Sequence, residues 1–451
     1  MRYLHGERGM TTEIAVMNKE AVALAADSAA SILRNREVKK IYNANKLFMF
    51  SKTRPIGIMF YNNTELNLVP WETIIKAYRD LPAKQFDTLK EYSDHFISFL
   101  NNADNPYYTE MFPTIMQDSF FTALTKREFK KIAENIDEQI KSLAKGDGEI
   151  KEEKMIEIVS AAIQEKYDES VKLNMLGTVP ENYNLEMLEK YGDKILSCKD
   201  DIFKSLPITE TSLTQLKEIG CNIIIKDHFF FLSGVVIAGF GDKEIFPSLV
   251  SYSIDFIFNN KLKYREDKSI KITHLKDASI ETFAQDETID AFLFGVHPKY
   301  NDELSSALKK LITTEIPEKL LDQIAMDESD KISHREKMMK LGHDIYKKFF
   351  SDMAKQCGSH FTQIFEAIKF LPKEELGIMA ESLVNLVSFR KRMSLEAETV
   401  GGPCDVAVIS KGDGFIWVKR KHYFRKDLNP QFIRNYFQGL EERSDEGNGG
   451  I

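Results

Sequence analysis

Apolar positions in residues 12–27 fall into two short clusters, "EIAVM" and "AVALAA", separated by the polar turn "NKE" and closed by Asp27. Small and β-branched residues at this spacing predict a packed antiparallel hairpin. Two further strand-like runs follow, "KKIYNANKLFMF" (39–50) and "RPIGIMFYN" (54–62). The period then lengthens to that of a helix. "VPWETIIKAYRDL" (69–81) carries Pro70 where a helix start tolerates it, and "TLKEYSDHFISFLNN" (88–102) predicts a second helix. From about 107 to 219, Lys, Glu, Ile and Leu recur at helical spacing, interrupted by "KGDGE" (145–149) and "TVPENYN" (178–184). Strand signals resume at about 221 with "CNIIIKDHFFFLSGVVIAGFG", "FPSLVSYSIDFIF", an "NNKL" turn and "ASIETFA". Residues 301–380 read as helical again, and "ESLVNLVSFRKRMSL" (381–395) is a further amphipathic stretch. "CDVAVISK", a "GDG" turn and "FIWVKR" form a last hairpin, and after about 427 the chain becomes a polar, flexible tail. Strands, helices, strands, helices, strands: this order favours stacked antiparallel sheets covered by helices over an alternating parallel sheet.

At 451 residues the chain allows one elaborated domain or two to three smaller ones. An apolar fraction of 43%, a charged fraction of 29% and apolar runs short of a bilayer span predict a soluble globular protein with no membrane partner. Residues 1–9, "MRYLHGERG", lack the apolar core of an export signal, and the four cysteines are scattered without a CxxC pair. Both features predict a cytoplasmic protein with reduced thiols. Net charge is −8 and the signs are mixed, which argues against nucleic acid as a partner; the basic run "VKRKHYFRK" (418–426) reads as a strand edge or tail. "GFGDKE" (239–244) lacks the third glycine of a dinucleotide loop, and no GxxxxGK[ST], HExxH or GxSxG pattern occurs. No cofactor or metal is expected.

The chemistry left to consider lies at the opening hairpin. A hydroxyl is a poor nucleophile until a base takes its proton, and a terminal α-amino group, with a pKa near about 8, is a base on the same residue. Met10 precedes Thr11, so initiation at Met10 with removal of that methionine, or self-cleavage of a ten-residue leader, would expose Thr11 as a terminal residue. Without either event Thr11 is an ordinary strand residue.

"TTEIAVMNKEAVALAADSAAS" resembles the start of proteasome β-type subunits and of the proteasome-like peptidase half of a two-component bacterial ATP-dependent protease. These are N-terminal-nucleophile hydrolases of the 20S proteasome A/B type family. The resemblance implies an α+β fold, a four-layer αββα sandwich of two antiparallel sheets flanked by helices. It makes Thr11 the nucleophile, with Asp27 sixteen residues later, as in that family. "KKIYN" supplies Lys40, with Lys39 as rival, to lower the pKa at the nucleophile while Asp27 orients the lysine; the loop between Asp27 and Lys40 is shorter than usual. "TVGGPCDVAVISKGDGF" is similar to the family's segment that carries an auxiliary acid and serine. Here the acid falls on Glu396 or Glu398, and Thr399 or Val400 replaces the serine. Thr288, near Asp286 and Glu287, takes the place of a second auxiliary serine, and the oxyanion donor falls on Asn62 or Asn63.

The resemblance covers 11–105, 221–300 and 381–421, giving a core of 11–105, 221–300 and 381–425. Residues 1–10 are then a leader or misassigned start, 106–220 a helical insertion, 301–380 a helical elaboration and 426–451 a polar tail. It implies a peptide or protein substrate, a homo-oligomeric ring and an ATP-dependent unfoldase partner. The rival expectation is a non-catalytic scaffold similar to the α-type subunits.

Overall fold

The computed structural model describes residues 12–34, 37–41, 44–103, 105–143, 151–180, 182–284, 287–393, 402–422, 424–431 and 434. Its first hairpin follows the apolar clusters: β1 (Thr12–Asn18) and β2 (Ala21–Ala26) pair antiparallel, with Ile14 opposite Ala25 and Val16 opposite Ala23. β3 (Ala30–Arg34) and β4 (Glu37–Ile41) form a separate two-stranded sheet. β5 (Leu47–Met49) and β6 (Ile56–Asn62) follow, then a small hairpin of β7 (Glu65–Leu66) and β8 (Val69–Pro70). Pro70 caps α1 (Trp71–Arg79), and Thr88 with Glu91 forms a capping box on α2 (Leu89–Asn101). The helical block runs through α3 (Tyr108–Met111), α4 (Thr114–Leu143), α5 (Glu152–Lys172), α6 (Tyr183–Phe203) and α7 (Glu210–Ile225).

Strands return as β9 (Ser233–Gly239), β10 (Ser248–Phe258), β11 (Lys261–Lys271) and β12 (Ala278–Ala284). The β10–β11 turn is made by Asn259 and Asn260, both at positive φ (49° and 57°), where asparagine is tolerated. Helices α8 (Glu287–Phe294), α9 (Pro298–Lys310), a π-helical turn (Leu311–Glu315), α10 (Ile316–Asp322), α11 (Glu328–Ile368) and α12 (Lys373–Met393) precede the last hairpin, β13 (Asp405–Ser410) and β14 (Gly414–Lys419).

Two five-stranded antiparallel sheets result, ordered β12–β1–β2–β13–β14 and β11–β10–β9–β6–β5. Alternation along each strand divides the core. Ala15, Met17, Val22, Leu24 and Ile409 of the first sheet meet Leu47, Met59, Val236 and Ala238 of the second. On the opposite face, Ile14, Val16, Ala21, Ala23 and Ala25 receive α12, with Leu376, Ala380 and Val387, and also α8. Three alanines in a row on that face of β2 leave room for α12 to lie directly on the strand. The outer face of the second sheet packs Ile58, Phe60, Ile237 and Tyr252 under α1 and α2. The architecture is therefore α+β, with helices on both sides of two stacked sheets.

One stretch departs from the sequence pattern. Residues 221–225, "CNIII", were expected to begin a strand but complete α7, and the strand starts only at Ser233. β-Branched residues favour strands only weakly. Here Cys221, Ile223, Ile224 and Ile225 are buried among α4, α5 and α6, and that packing outweighs the preference.

Candidate functional site

The ends of β1 and β2 meet at one rim. Asp27 N–H donates to the Thr12 carbonyl (3.2 Å), and Thr12 N–H donates back to Asp27 Oδ1 (3.4 Å). Lys46 reaches the same point from the second sheet. Phe60 N–H donates to its carbonyl (3.0 Å) and Ala44 N–H donates to the Ser28 carbonyl (3.1 Å), so backbone bonds on either side fix where Lys46 enters. Its Nζ makes a close ion pair with Asp27 Oδ1 and lies 3.2 Å from Glu13 Oε1. Glu13 is 0% exposed, and Asp27 and Lys46 are 1% exposed. Desolvating such ions costs several kcal/mol each, so three of them in a sandwich lined by Ala, Val and Leu mark the rim as a candidate site.

The surroundings tighten it. Ser28 Oγ donates to the Pro403 carbonyl, which brings the start of β13 against the end of β2, with Asp405 opposite Ala26. Asp405 is itself engaged, accepting Lys421 N–H (2.8 Å) and Nζ (2.6 Å). Burial, together with the Glu381, Asp405 and Asp27 carboxylates, pushes the Cys404 thiol up to about 12, so it is no nucleophile at neutral pH. Burial and the Asp267 and Glu13 carboxylates likewise hold the Tyr61 hydroxyl well above its ordinary value. The Tyr61 ring rests on Gly234, where a Cβ would stand 1.9 Å from Cζ. Thr12 is 0% exposed, and its Oγ1 has no hydrogen-bond partner among the described residues.

The residues expected from the sequence are only partly brought together. Asp27 sits in the cluster, and a lysine beside it is Lys46, which the sequence pattern did not single out. Lys40 lies on β4, opposite Ser31 in a separate hairpin, and its side chain is outside the described residues. Thr11, Asp286 and Glu398 are also outside the described residues. Thr288 opens α8 and accepts a hydrogen bond from Arg390 Nη1 (3.0 Å), while the same guanidinium meets His297 Nε2 at 2.6 Å. Asn62 ends β6 with a left-handed backbone, φ 65°. Asn63 N–H is committed to the Leu232 carbonyl (3.2 Å).

No protein-family model matches the chain, and no curated protein matches it. Among solved structures, the helical assembly of the Anbu complex from Pseudomonas aeruginosa aligns over 96% of this chain and 96% of that chain, with 9% identity and a TM-score of 0.25. A likeness at that level carries no argument about this protein. The chain is not assigned to the 20S proteasome A/B type family. The resemblance of the opening and closing segments is corrected on that ground: no family model matches, and the structural similarity is too slight to replace one. Among the described residues no helix is long and apolar enough to cross a membrane, and no group of three or more His, Cys, Asp or Glu could hold a metal ion.

Lys46 is the residue that sequence reasoning passed over. Its signal was a lone lysine directly ahead of the apolar run "LFMF", a position where a charge must find a partner or face water. The pattern could show the anomaly but not name the partners, which lie 19 and 33 positions earlier.

Proposed function

We propose that this protein is a threonine-type amide hydrolase acting on peptide bonds, with Thr11 as nucleophile once it is the first residue of the chain. The observation that carries this reading is the buried Lys46 ammonium, held by Asp27 and Glu13 at the head of β1, where Thr12 is hydrogen-bonded to Asp27. Thr11 is peptide-bonded to Thr12. A buried cation near its freed amine favours the neutral, proton-accepting form of that amine. The amine takes the hydroxyl proton as Thr11 Oγ adds to the scissile carbonyl, then returns it to the departing amine. The resulting ester is hydrolysed by water. In this reading Lys46 has the tuning role first expected of Lys40, and Asp27 orients it. Asn62 is the candidate donor to the oxyanion, with Thr288 and Glu398 as auxiliary groups.

The experiment is mass spectrometry of the native N-terminus combined with a Thr11→Ala comparison on fluorogenic peptides. A mature chain starting at Thr11, with hydrolysis lost by about 1,000-fold or more in the variant, is expected. A chain that begins intact at Met1 and hydrolyses nothing would overturn the proposal. A second reading, an inert scaffold, draws on one observation: Glu13, Asp27 and Lys46 are sealed from water and fit a polar core equally well. On that reading Thr11→Ala changes neither activity nor stability.

A further inference from the structure

We infer that the cavity between α8, α9 and α11 is a binding site for a small aromatic molecule that carries one N–H donor. The cavity holds about 470 Å³, within the range of small-molecule sites. Phe294 of α8 and Phe350, Met353 and Cys357 of α11 form its apolar walls. Rings and sulfur atoms together favour an aromatic occupant over an aliphatic one, because both gain from contact with the face or edge of a π-system.

The walls are fixed from outside the cavity. Phe294 stacks on Phe361, with centroids 5.1 Å apart and planes 9° from parallel, and His360 Nε2 donates to the Phe292 carbonyl (3.1 Å), so the end of α8 is held on α11. Ser305 Oγ meets Tyr346 Oη at 2.6 Å and holds α9 on the same helix.

Two observations point to an occupant and its chemistry. Asn301 lines the cavity, and its Oδ1 is shielded from bulk solvent without a hydrogen-bond partner among the described residues. An orphaned buried acceptor destabilises a fold unless a donor reaches it. Asp290, the other polar group of the wall, is also an acceptor, and no lysine or arginine is among the described lining residues, so the occupant brings an N–H and not a phosphate or carboxylate. The second observation is Gly358. It lies inside α11, where glycine weakens a helix relative to alanine. A Cβ there would meet nothing within 4 Å and the backbone is helical, so neither packing nor conformation demands glycine. The missing side chain leaves the cavity open beside Cys357.

The test is alkylation of Cys357 by iodoacetamide in the full chain, with indole as the probe. Indole should bind with a dissociation constant of about 0.1–1 mM, so about 1 mM of it should slow the alkylation at least about twofold. 1-Methylindole keeps the rings, lacks the donor and should bind about fivefold more weakly. Gly358→Leu should abolish the protection while far-ultraviolet dichroism stays native and the denaturation midpoint does not fall, and Asn301→Leu should bring indole down to the level of 1-methylindole. Alkylation that indole does not slow overturns the inference, as does protection that survives Gly358→Leu. Equal protection by 1-methylindole overturns the assigned donor. Protection that grows with protein concentration in the absence of indole would seat a second copy in the cavity and overturn the inference as well.

Discussion

Replacing Lys46 by Met removes a buried cation that the structure places against Asp27 and Glu13 while keeping the length of the side chain. At 3.2 Å and an effective dielectric of about 20, the attraction between Lys46 and Glu13 alone is about 5 kcal/mol. Desolvation of the ammonium offsets part of that. Removing one partner of a buried pair typically costs about 3–5 kcal/mol, because carboxylates remain in a site that water does not reach. A domain's whole stability is about 5–15 kcal/mol, so Lys46→Met should consume a large part of it. The assay is urea unfolding followed by the fluorescence of Trp71, in α1 on the outer face of the second sheet, and Trp417, beside the core between the sheets. Adding Glu13→Gln to Lys46→Met should recover about 1–2 kcal/mol by removing one stranded charge. A loss below about 1 kcal/mol in Lys46→Met would refute the assignment of Lys46 as a buried cation of this cluster.

Three further outcomes follow from named contacts. Gly234→Ala places a methyl 1.9 Å from Tyr61 Cζ and should cost about 3 kcal/mol or more in the same unfolding assay, while Tyr61→Ala in the same chain should recover most of it. Burial pushes Cys221 and Cys404 up to about 12, so below about pH 10 both stay overwhelmingly as thiols; iodoacetamide at pH 8 followed by peptide mass mapping should find partly exposed Cys357 modified first and those two unmodified until the protein unfolds. Thr88→Ala removes the cap that accepts from Glu91 N–H and should lower stability by about 1 kcal/mol, read as a shift in the denaturation midpoint.

Local signals were legible, and long-range ones were not. Alternation located β1, β2, the Asn259–Asn260 turn and the last hairpin, and Pro70 marked the start of α1, because each depends on neighbours within a few residues. The same reasoning failed at 221–225, where isoleucines that could line a strand are claimed by helices more than twenty residues away. It passed over Lys46 for a related reason: β3 and β4 form a separate two-stranded sheet, and nothing local says that the lysine beyond it meets Asp27 and Glu13. Joins of this kind recur: Asn18 Nδ2 donates to the carbonyls of Ile368 (3.1 Å) and Leu371 (2.8 Å), across some 350 positions.

The helical block at 106–220 has a hydrophobic cluster of its own, and side chains of β10 reach into it. A register shift after Ile254 in β10 places Phe256 and Phe258 in the core of the block, while Val250, Tyr252 and Ile254 pack under α1 and α2. Phe258 stacks on Phe121 and tilts against Tyr191, with ring centroids 4.5 Å apart in both cases. Beside them Lys263 Nζ donates to the Ile223 carbonyl (2.7 Å) and to that of His228, and Asp255 accepts Phe230 N–H (3.1 Å) and Phe231 N–H (2.6 Å). Burial drives Asp255 up and Lys263 down, so this pair depends on the helices that keep its partners in place. Deleting 107–219 would bare two aromatic side chains, at about 1.5–3 kcal/mol each, and unfix α7, which supplies one acceptor of Lys263. The expected product is aggregated or lacks near-ultraviolet dichroism, and a monodisperse chain with native near-ultraviolet dichroism would contradict this. Loss of peptide hydrolysis on that deletion would therefore report unfolding of the second sheet and could not assign the activity to the block. Point substitutions on its exposed faces can separate the two, since they leave Phe121, Tyr191 and the Ile223 carbonyl where they are.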